Sequence, residues 1–467
     1  MDPKRRCPVL PDEITADEIL ARLPAKSVVA CRSLSRAWAA ALSSDDFIDL
    51  YHSLHGGRLK ILRLHEEAKS YTDRHGAAPP DGMPLAISAA SFPRMVKVFW
   101  EDWQTIPILL TTQCRGLIIV ELNPMGLLYV CNPSTGQKRE LPQGRTTGCG
   151  RNRDWMHEYA SLGLGYDVRS RRHKVVRIYH KGYDGEGRPA SAGCEVYVLN
   201  DTAQSWRPVR AKPPGWVHPY KITVFAQGHV YWLAHRKHHF YEGYTRPSEM
   251  FIACFSVSEE TFATVPPPPG VDSETLSKQC LTVLAGRLSL FSWGCPDHGQ
   301  RYDVWLLRDY GTNTGWDLHC RIDVATASLE VYRFLGPRYD VRHVDSYPPI
   351  IPLAIVDDGR CILLARSELP DKICAYAPLT GDIENILDFR SLQTLDRTPL
   401  EFAVYEESIS TLGRQTCKDI ILTSSPSTQA LSLLLHLIPE HTLPSLMCVC
   451  RSWCTTIALY LRGRASR

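Results

Sequence analysis

Several groups of residues in this sequence have the types that do chemistry, but none has the spacing. His235, His238 and His239 stand in HRKHHFYEGY without a Cys or carboxylate at ligand distance, and zinc sites normally declare themselves by such spacing. They are expected in a solvated loop between strands. Cys448, Cys450 and Cys454 crowd together near the end of the chain with no second ligand pair, and are expected as buried helix cysteines. Asp102, Asp154 and Glu158 have no discernible acid–base partner. GLGYDV lacks the three-glycine spacing of a dinucleotide loop and leads into a strand where the fingerprint needs a helix. No P-loop, G-x-S-x-G elbow or H-E-x-x-H occurs. The basic run RSRRHK, Arg169 to Lys174, reads as a solvated hairpin turn, with contact to an acidic substrate segment as the alternative. No metal, cofactor or catalytic residue is expected.

The bulk numbers are those of an ordinary globular chain. The 467 residues allow a sizeable core and more than one domain, and a net charge of +3 is too small to mark a nucleic-acid footprint. The basic N-terminus has no apolar run behind it, so no signal peptide is expected, and no stretch approaches the roughly 18 apolar residues of a membrane span. Sixteen scattered cysteines then point to reduced thiols and to cytoplasm and/or nucleus.

Two kinds of element must position whatever the chain binds. From Leu10 to Leu42 the pattern is helical: Thr15 and Glu18 make a capping box, and Ile14 and Ile19 a hydrophobic staple. Pro24 stops the first helix after Leu20 and Leu23, and Ser27 is placed to cap a second. Val28, Cys31, Leu34, Trp38 and Leu42 continue one apolar face. Some 40 residues bury too little surface to be stable alone, so the face needs a partner, either the rest of the chain or another protein.

LPDEI…EILARLPAKSV…CRSLSRAW closely resembles the F-box, the adaptor-binding module of substrate receptors in cullin-based ubiquitin ligases. The departures are Ala30, where a bulkier residue is usual, and Leu34, where valine is. The resemblance implies that a Skp-type adaptor, and through it a cullin scaffold, binds Leu10, Pro11, Ile14, Ile19, Leu20, Leu23, Pro24, Ser27, Val28 and Trp38.

From Gly57 to Tyr405 the reading turns to strand. Gly hairpins at Gly116, Gly228, Gly286 and Gly359 alternate with polar hairpins such as LLYVCNPSTGQKRELP and EVYVLNDTAQSWRPV. Pairing each Gly hairpin with the next polar one, and filling the wide first gap with the hairpins at Leu164 and Glu195, gives five four-stranded units. Strands near Lys60, Met95 and Phe402 could complete a sixth. Such repetition predicts a β-propeller, with a pair of β-sandwiches as the alternative.

CNPSTGQKRELP, GYDVRSRRHKVVRI and VYVLNDTAQSWR also resemble the F-box-associated domain of plant receptors, which implies a substrate-recognition domain. The expected fold class is α+β multidomain: an F-box helical module over 1–50, a large all-β propeller-like domain over 51–410, and a helical tail over 411–467. In the tail, LIPEHTLPSLMCVCRSW matches the F-box pattern a second time, without a leading leucine or capping box. It reads as a degenerate copy packed on its own protein. The expected function is the substrate-recognition subunit of an SCF-type ubiquitin ligase, with Trp216, Tyr220, Tyr241 and Tyr244 as target contacts. The alternative is a propeller enzyme or small-ligand sensor whose N-terminal helices only cap the fold.

Overall fold

The computed structural model describes residues 19–33, 36–64, 95–98, 106–123, 126–144, 158–183, 189–217, 221–237, 248–271, 276, 279–294, 301–308, 315–324, 326–335, 350–366, 372–388 and 401–412. The tail, with Cys448, Cys450 and Cys454, lies outside them, as do the Thr15–Glu18 capping box, Asp102 and Asp154.

The chain enters through a short 3₁₀ turn, Leu20–Arg22, which becomes extended at Leu23 because Pro24 disfavours helix in the residue before it. Three helices follow: α1 (Ala25–Cys31), α2 (Arg36–Ala41) and α3 (Asp45–His55). Ser27 does not cap α1 as the sequence suggested. The helix begins directly after Pro24, whose fixed φ suits a helix start, and Ser27 sits buried inside it. Helix α3 carries its own start and stop signals. The Ser44 hydroxyl accepts from Phe47 N, Asp45 and Asp46 occupy the first turn, and His52 and His55 the last.

The described strands form six sheets. One is assembled from both ends of the β domain: β1 (Leu59–Leu64) lies between β2 (Met95–Val98) and β24 (Glu401–Glu406). Strands β1 and β24 run antiparallel, with Ile61 opposite Val404. The other five are antiparallel meanders, and each is a blade. The first is β3 (Ile106–Leu109), β4 (Ile118–Asn123), β5 (Leu127–Asn132) and β6 (Gln137–Glu140). Next come β7 (Glu158–Asp167), β8 (Arg172–Tyr183), β9 (Pro189–Val198) and β10 (Arg207–Pro208). The third blade has β11 (Trp216–Val217) and β12 (Val224–Ala226) side by side on β13 (His229–Lys237), then β14 (Ser248–Ser256) and β15 (Thr261–Val265). The fourth is β16 (Cys280–Leu284), β17 (Arg287–Gly294), β18 (Arg301–Leu307) and β19 (Trp316–Asp323). A short helix, α4 (Leu329–Leu335), leads to the fifth: β20 (Ile350–Val356), β21 (Cys361–Arg366), β22 (Lys372–Ala377) and β23 (Asp382–Asp388).

Contacts between sheets run β1 to β3, β4 to β7, β7 to β12, β12 to β16, β16 to β20 and β20 to β24. The circuit returns to its start, so the sheets form a closed ring and not two facing layers. Closure protects the sheet edges that an open arrangement would leave bare. The five units and the closing set near Lys60, Met95 and Phe402 are the ones that the hairpin alternation suggested.

Local chemistry fixes the repeat. Arg115–Gly116, Gln227–Gly228 and Ala285–Gly286 all have positive φ, as a two-residue type I′ hairpin requires at both central positions. Between blades a tryptophan latch recurs. Trp206 Nε1 donates to Pro142 O (2.7 Å) across the first and second blades, and Trp316 Nε1 to Pro266 O (2.8 Å) across the third and fourth.

Candidate functional site

The helical module and the ring meet at a built joint. Leu20, Leu23, Val28, Cys31, Leu42, Phe47 and Tyr51 form one buried cluster, and Ile409, from beyond the last strand, completes it. Two aromatic side chains of α3 hold the entering chain. The Tyr51 hydroxyl donates to Leu23 O (2.9 Å), and His55 Nε2 lies 2.9 Å from Ala21 O. Their rings stack at 4.2 Å. A unit this small cannot bury its apolar face alone, and the ring supplies the missing cover.

That cover is a strap, residues 407–412, which follows β24 and crosses back over two blades. Glu407 Oε1 accepts from Ala25 N (3.0 Å), taking an orphan donor at the start of α1, and also faces Lys60 Nζ at 3.1 Å. Arg32 donates to Leu42 O (2.8 Å) and Ile409 O (2.9 Å), tying module to strap. Asn132 Nδ2 donates to Ser408 O and Ser410 O, both at 3.0 Å, while Arg139 reaches Leu412 O and Asn200 reaches Thr411 O. The polar hairpin containing Asn132 is thus a docking point for the strap as well as a turn.

A second contact is ionic. Asp45, Asp46 and Asp49, on one side of α3, meet Arg172 (3.0 Å), Arg171 (2.5 Å) and Arg115 (2.6 Å) on the rim of the ring. Arg171 also approaches Asp49 (3.4 Å), and the Arg115 guanidinium lies 4.0 Å over the Tyr166 ring. The RSRRHK run therefore does form an exposed hairpin turn, and within it Arg171 and Arg172 each make an ion pair. The acidic segment they meet is the chain's own α3. Of the rest, Arg169 pairs with Glu259, and Lys174 is buried against Asp167 (2.9 Å) and Glu260 (3.0 Å), linking two blades. The pKa of His173, which is buried, is pushed down to about 3, first by desolvation and then by the charge of Arg115. His55 is lowered by burial against the opposing pull of Ala21 O and Glu407, and His52 by burial and Arg115 against Glu406 and Asp49.

Of the residues expected to meet an adaptor, Leu10, Pro11 and Ile14 lie outside the described residues. Leu20, Leu23, Ser27 and Val28 are buried within the chain, whereas Ile19 and Trp38 are half-buried and Pro24 is exposed. Of the expected target contacts, Tyr220, Tyr241 and Tyr244 lie outside the described residues. Trp216 reads from the sequence either as a target contact or as a buried blade aromatic, and the structure gives the second, with only 5% of it exposed. It lies on β11, opposite His235 in the pairing with β13, with its ring 4.6 Å from that of His235 and 5.7 Å from that of His180. The same pairing corrects His235, which is a buried strand residue and not part of a solvated loop. His238 and His239 lie outside the described residues.

The remaining candidate chemistry resolves into packing. Both glycines of GLGYDV lie in β7. A Cβ at Gly163 would meet Trp232 Cζ2 at 2.7 Å, so the glycine lets a tryptophan of the next blade lie flat on the strand. Burial pushes the thiols of Cys31, Cys131 and Cys320 up to about 12, which suits small apolar side chains and not nucleophiles. Among the described residues, no three His, Cys, Asp or Glu side chains form a group able to hold a metal. Glu158 opens β7. The functional residues that sequence reasoning missed are in α3 and the strap. The cap and charge order of SSDDFIDLYHSLH were readable as a helix; Glu407–Leu412 carries no comparable signal.

Fold and joint together define a β-propeller carrying a fixed helical module. Residues 95–339 match the F-box associated beta propeller domain and residues 9–50 the F-box domain, so the chain belongs to the F-box associated β-propeller family. F-box protein DOR of Arabidopsis thaliana is 26% identical over 308 residues, covering 62% of this chain and 69% of that protein. An F-box/LRR-repeat protein of the same plant is 27% identical over 307 residues, covering 63% of this chain and 66% of its own length. The chain thus spans about two thirds of these relatives. A chain of the nidogen/laminin complex matches at a TM-score of 0.30 and 10% identity, covering 66% of this chain and 88% of that one.

Proposed function

We propose that this protein is the substrate-recognition subunit of an SCF-type ubiquitin ligase. The helical module docks a Skp-type adaptor, and through it a cullin, while the propeller holds a target protein. Catalysis then belongs to the assembled ligase, and the receptor supplies proximity between target and ubiquitin-carrying enzyme. The observation that carries the reading is the pairing of an F-box match over residues 9–50 with a joint that fixes the same helices to the propeller rim. A receptor must hold its target at a defined distance from the adaptor, and a flexible tether would not.

Burial divides the adaptor set. Leu20, Leu23, Ser27 and Val28 are buried and on this reading shape the module from within, while Ile19, Pro24 and Trp38 keep surface for direct contact; the F-box resemblance adds Leu10, Pro11 and Ile14 to the contact set. We place the target on the opposite face, a reading that strand direction supports. The turns at Arg115–Gly116 and 168–171 face the module, so β13 leaves its blade, at Lys237, at the end opposite the Gln227–Gly228 turn. The connection that follows includes Tyr241 and Tyr244.

The test is binding of the purified chain to a Skp-type adaptor. The intact protein is expected to bind, and a Leu10→Ala/Pro11→Ala double variant to bind at least about tenfold more weakly, as losing two interface anchors implies. Equal binding by the double variant, or none by the intact chain, would sink the proposal.

A further inference from the structure

The ring encloses a cavity of about 490 Å³ that neither adaptor docking nor target binding at the far face requires. Five of the six sheets wall it with apolar side chains: Val404 from the closing sheet, Leu109, Phe225, Val283 and Ile355 from four blades. Among the described residues, the lining takes none from the second blade. Thr223, bridged to Thr111, stands before it and donates its hydroxyl to Leu162 O (2.8 Å).

Thr112, Gln227 and Thr282 add polar groups from the blades, and the rest of the polar lining belongs to the joint. His52 and Gly57 reach it from the helical side, and Gln113, Arg115 and Glu406 from the ring. The charges there are already matched. Arg115 is held by Asp49 at 2.6 Å, and Glu406 accepts from Gly57 N (3.2 Å) and faces His52 at 3.7 Å. Gln113 uses its oxygen to accept from Gly116 N (2.7 Å), and its amide hydrogens have no partner among the described residues. A largely apolar chamber of this size with a small number of polar groups is the usual form of a small-molecule site.

We infer that this chamber binds a small, neutral, largely apolar molecule whose single acceptor oxygen meets Gln113 and His52. A charged group is disfavoured because Arg115 and Glu406 already neutralise their neighbours, and a net charge would enter with no counterion. The occupant touches α3 on one side and the inner strands on the other, so it cements the module to the ring. This role is separate from adaptor and target binding.

The probe is prodan, a neutral naphthalene ketone whose emission shifts to the blue in apolar surroundings; anilinonaphthalene sulfonate serves as a charged counterpart of similar size. The full chain is expected to bind prodan saturably, one to one, and the sulfonate at least about tenfold more weakly. Val283→Trp, which fills the chamber from a half-buried position, is expected to abolish binding, and Gln113→Leu to weaken it. Near-UV circular dichroism checks that each variant is folded. Hydrogen exchange on the unaltered protein gives a reading that needs no variant: prodan is expected to slow exchange at the Ala285–Gly286 turn and at Gly57–Leu59. Absence of saturable binding, prodan affinity unchanged in folded V283W, sulfonate binding as tight as prodan, or protection confined to other segments would each overturn the inference.

Discussion

At the scale of single residues, the joint depends on a few polar atoms placed far apart in sequence. Glu407 is the clearest, because one carboxylate serves Ala25 N, Lys60 Nζ and, at 4.0 Å, His55 Nδ1. Glu407→Ala leaves a helix donor and a half-buried ammonium without partners, and is expected to cost about 1–3 kcal/mol. Urea unfolding followed by tryptophan fluorescence measures it; an unchanged midpoint would show that water replaces the carboxylate without loss. Gly163 and Trp206 act in the same economical way: one by lacking a side chain under Trp232, the other by a single N–H on Pro142 O. Neither role is visible in the local sequence, since both partners lie on another blade.

Among the elements, α3 decides how the two parts sit. Its acidic side faces the arginines of two hairpin turns, and its aromatic side grips the entering chain. The exposed pairs of this clasp contribute little singly, since salt and solvent screen them, whereas Asp49 is held by two arginines and the Tyr166 hydroxyl (3.4 Å). Replacing Asp45, Asp46 and Asp49 together with Asn is expected to speed hydrogen exchange in α1 and α3 while the blades keep their protection. The difference from the unaltered chain is expected to shrink between 0.05 and 0.5 M salt, values on the order of those that shorten the Debye length severalfold. Equal exchange in variant and parent at low salt would mean that the strap alone holds the module.

At the scale of the whole molecule, closure and titration are linked at the joint. His52, His55 and His173 all have folded values below the ordinary imidazole value of about 6.5. The folded state therefore binds fewer protons than the unfolded one. The stabilisation is complete above about pH 6.5 and is lost as the pH falls, for His173 down to about 3. Thermal unfolding is expected about 2 °C lower at about pH 5.5 than at about 7.5, roughly the shift that 1 kcal/mol produces in a domain of this size. A melting temperature that rises on acidification would contradict the assignment of neutral, buried imidazoles.

Much of this architecture is written locally. The Gly turns and polar hairpins fix the blades because a two-residue turn with positive φ specifies its own hairpin, and the pattern near Lys60, Met95 and Phe402 left three strands needing one another. The F-box likewise shows as a linear pattern over Leu10 to Trp38. Tertiary structure alone decided where Trp216, His235 and RSRRHK point. A two-residue strand buries the tryptophan and histidine, and an acidic helix more than 100 residues earlier in the chain claims the arginines. It also recruited 407–412 as the strap and left a chamber at the joint. The physical reason is separation along the chain. Turn type and helix caps are set by neighbouring residues, whereas burial, ion pairing and cavities depend on which distant surfaces closure of the ring brings together.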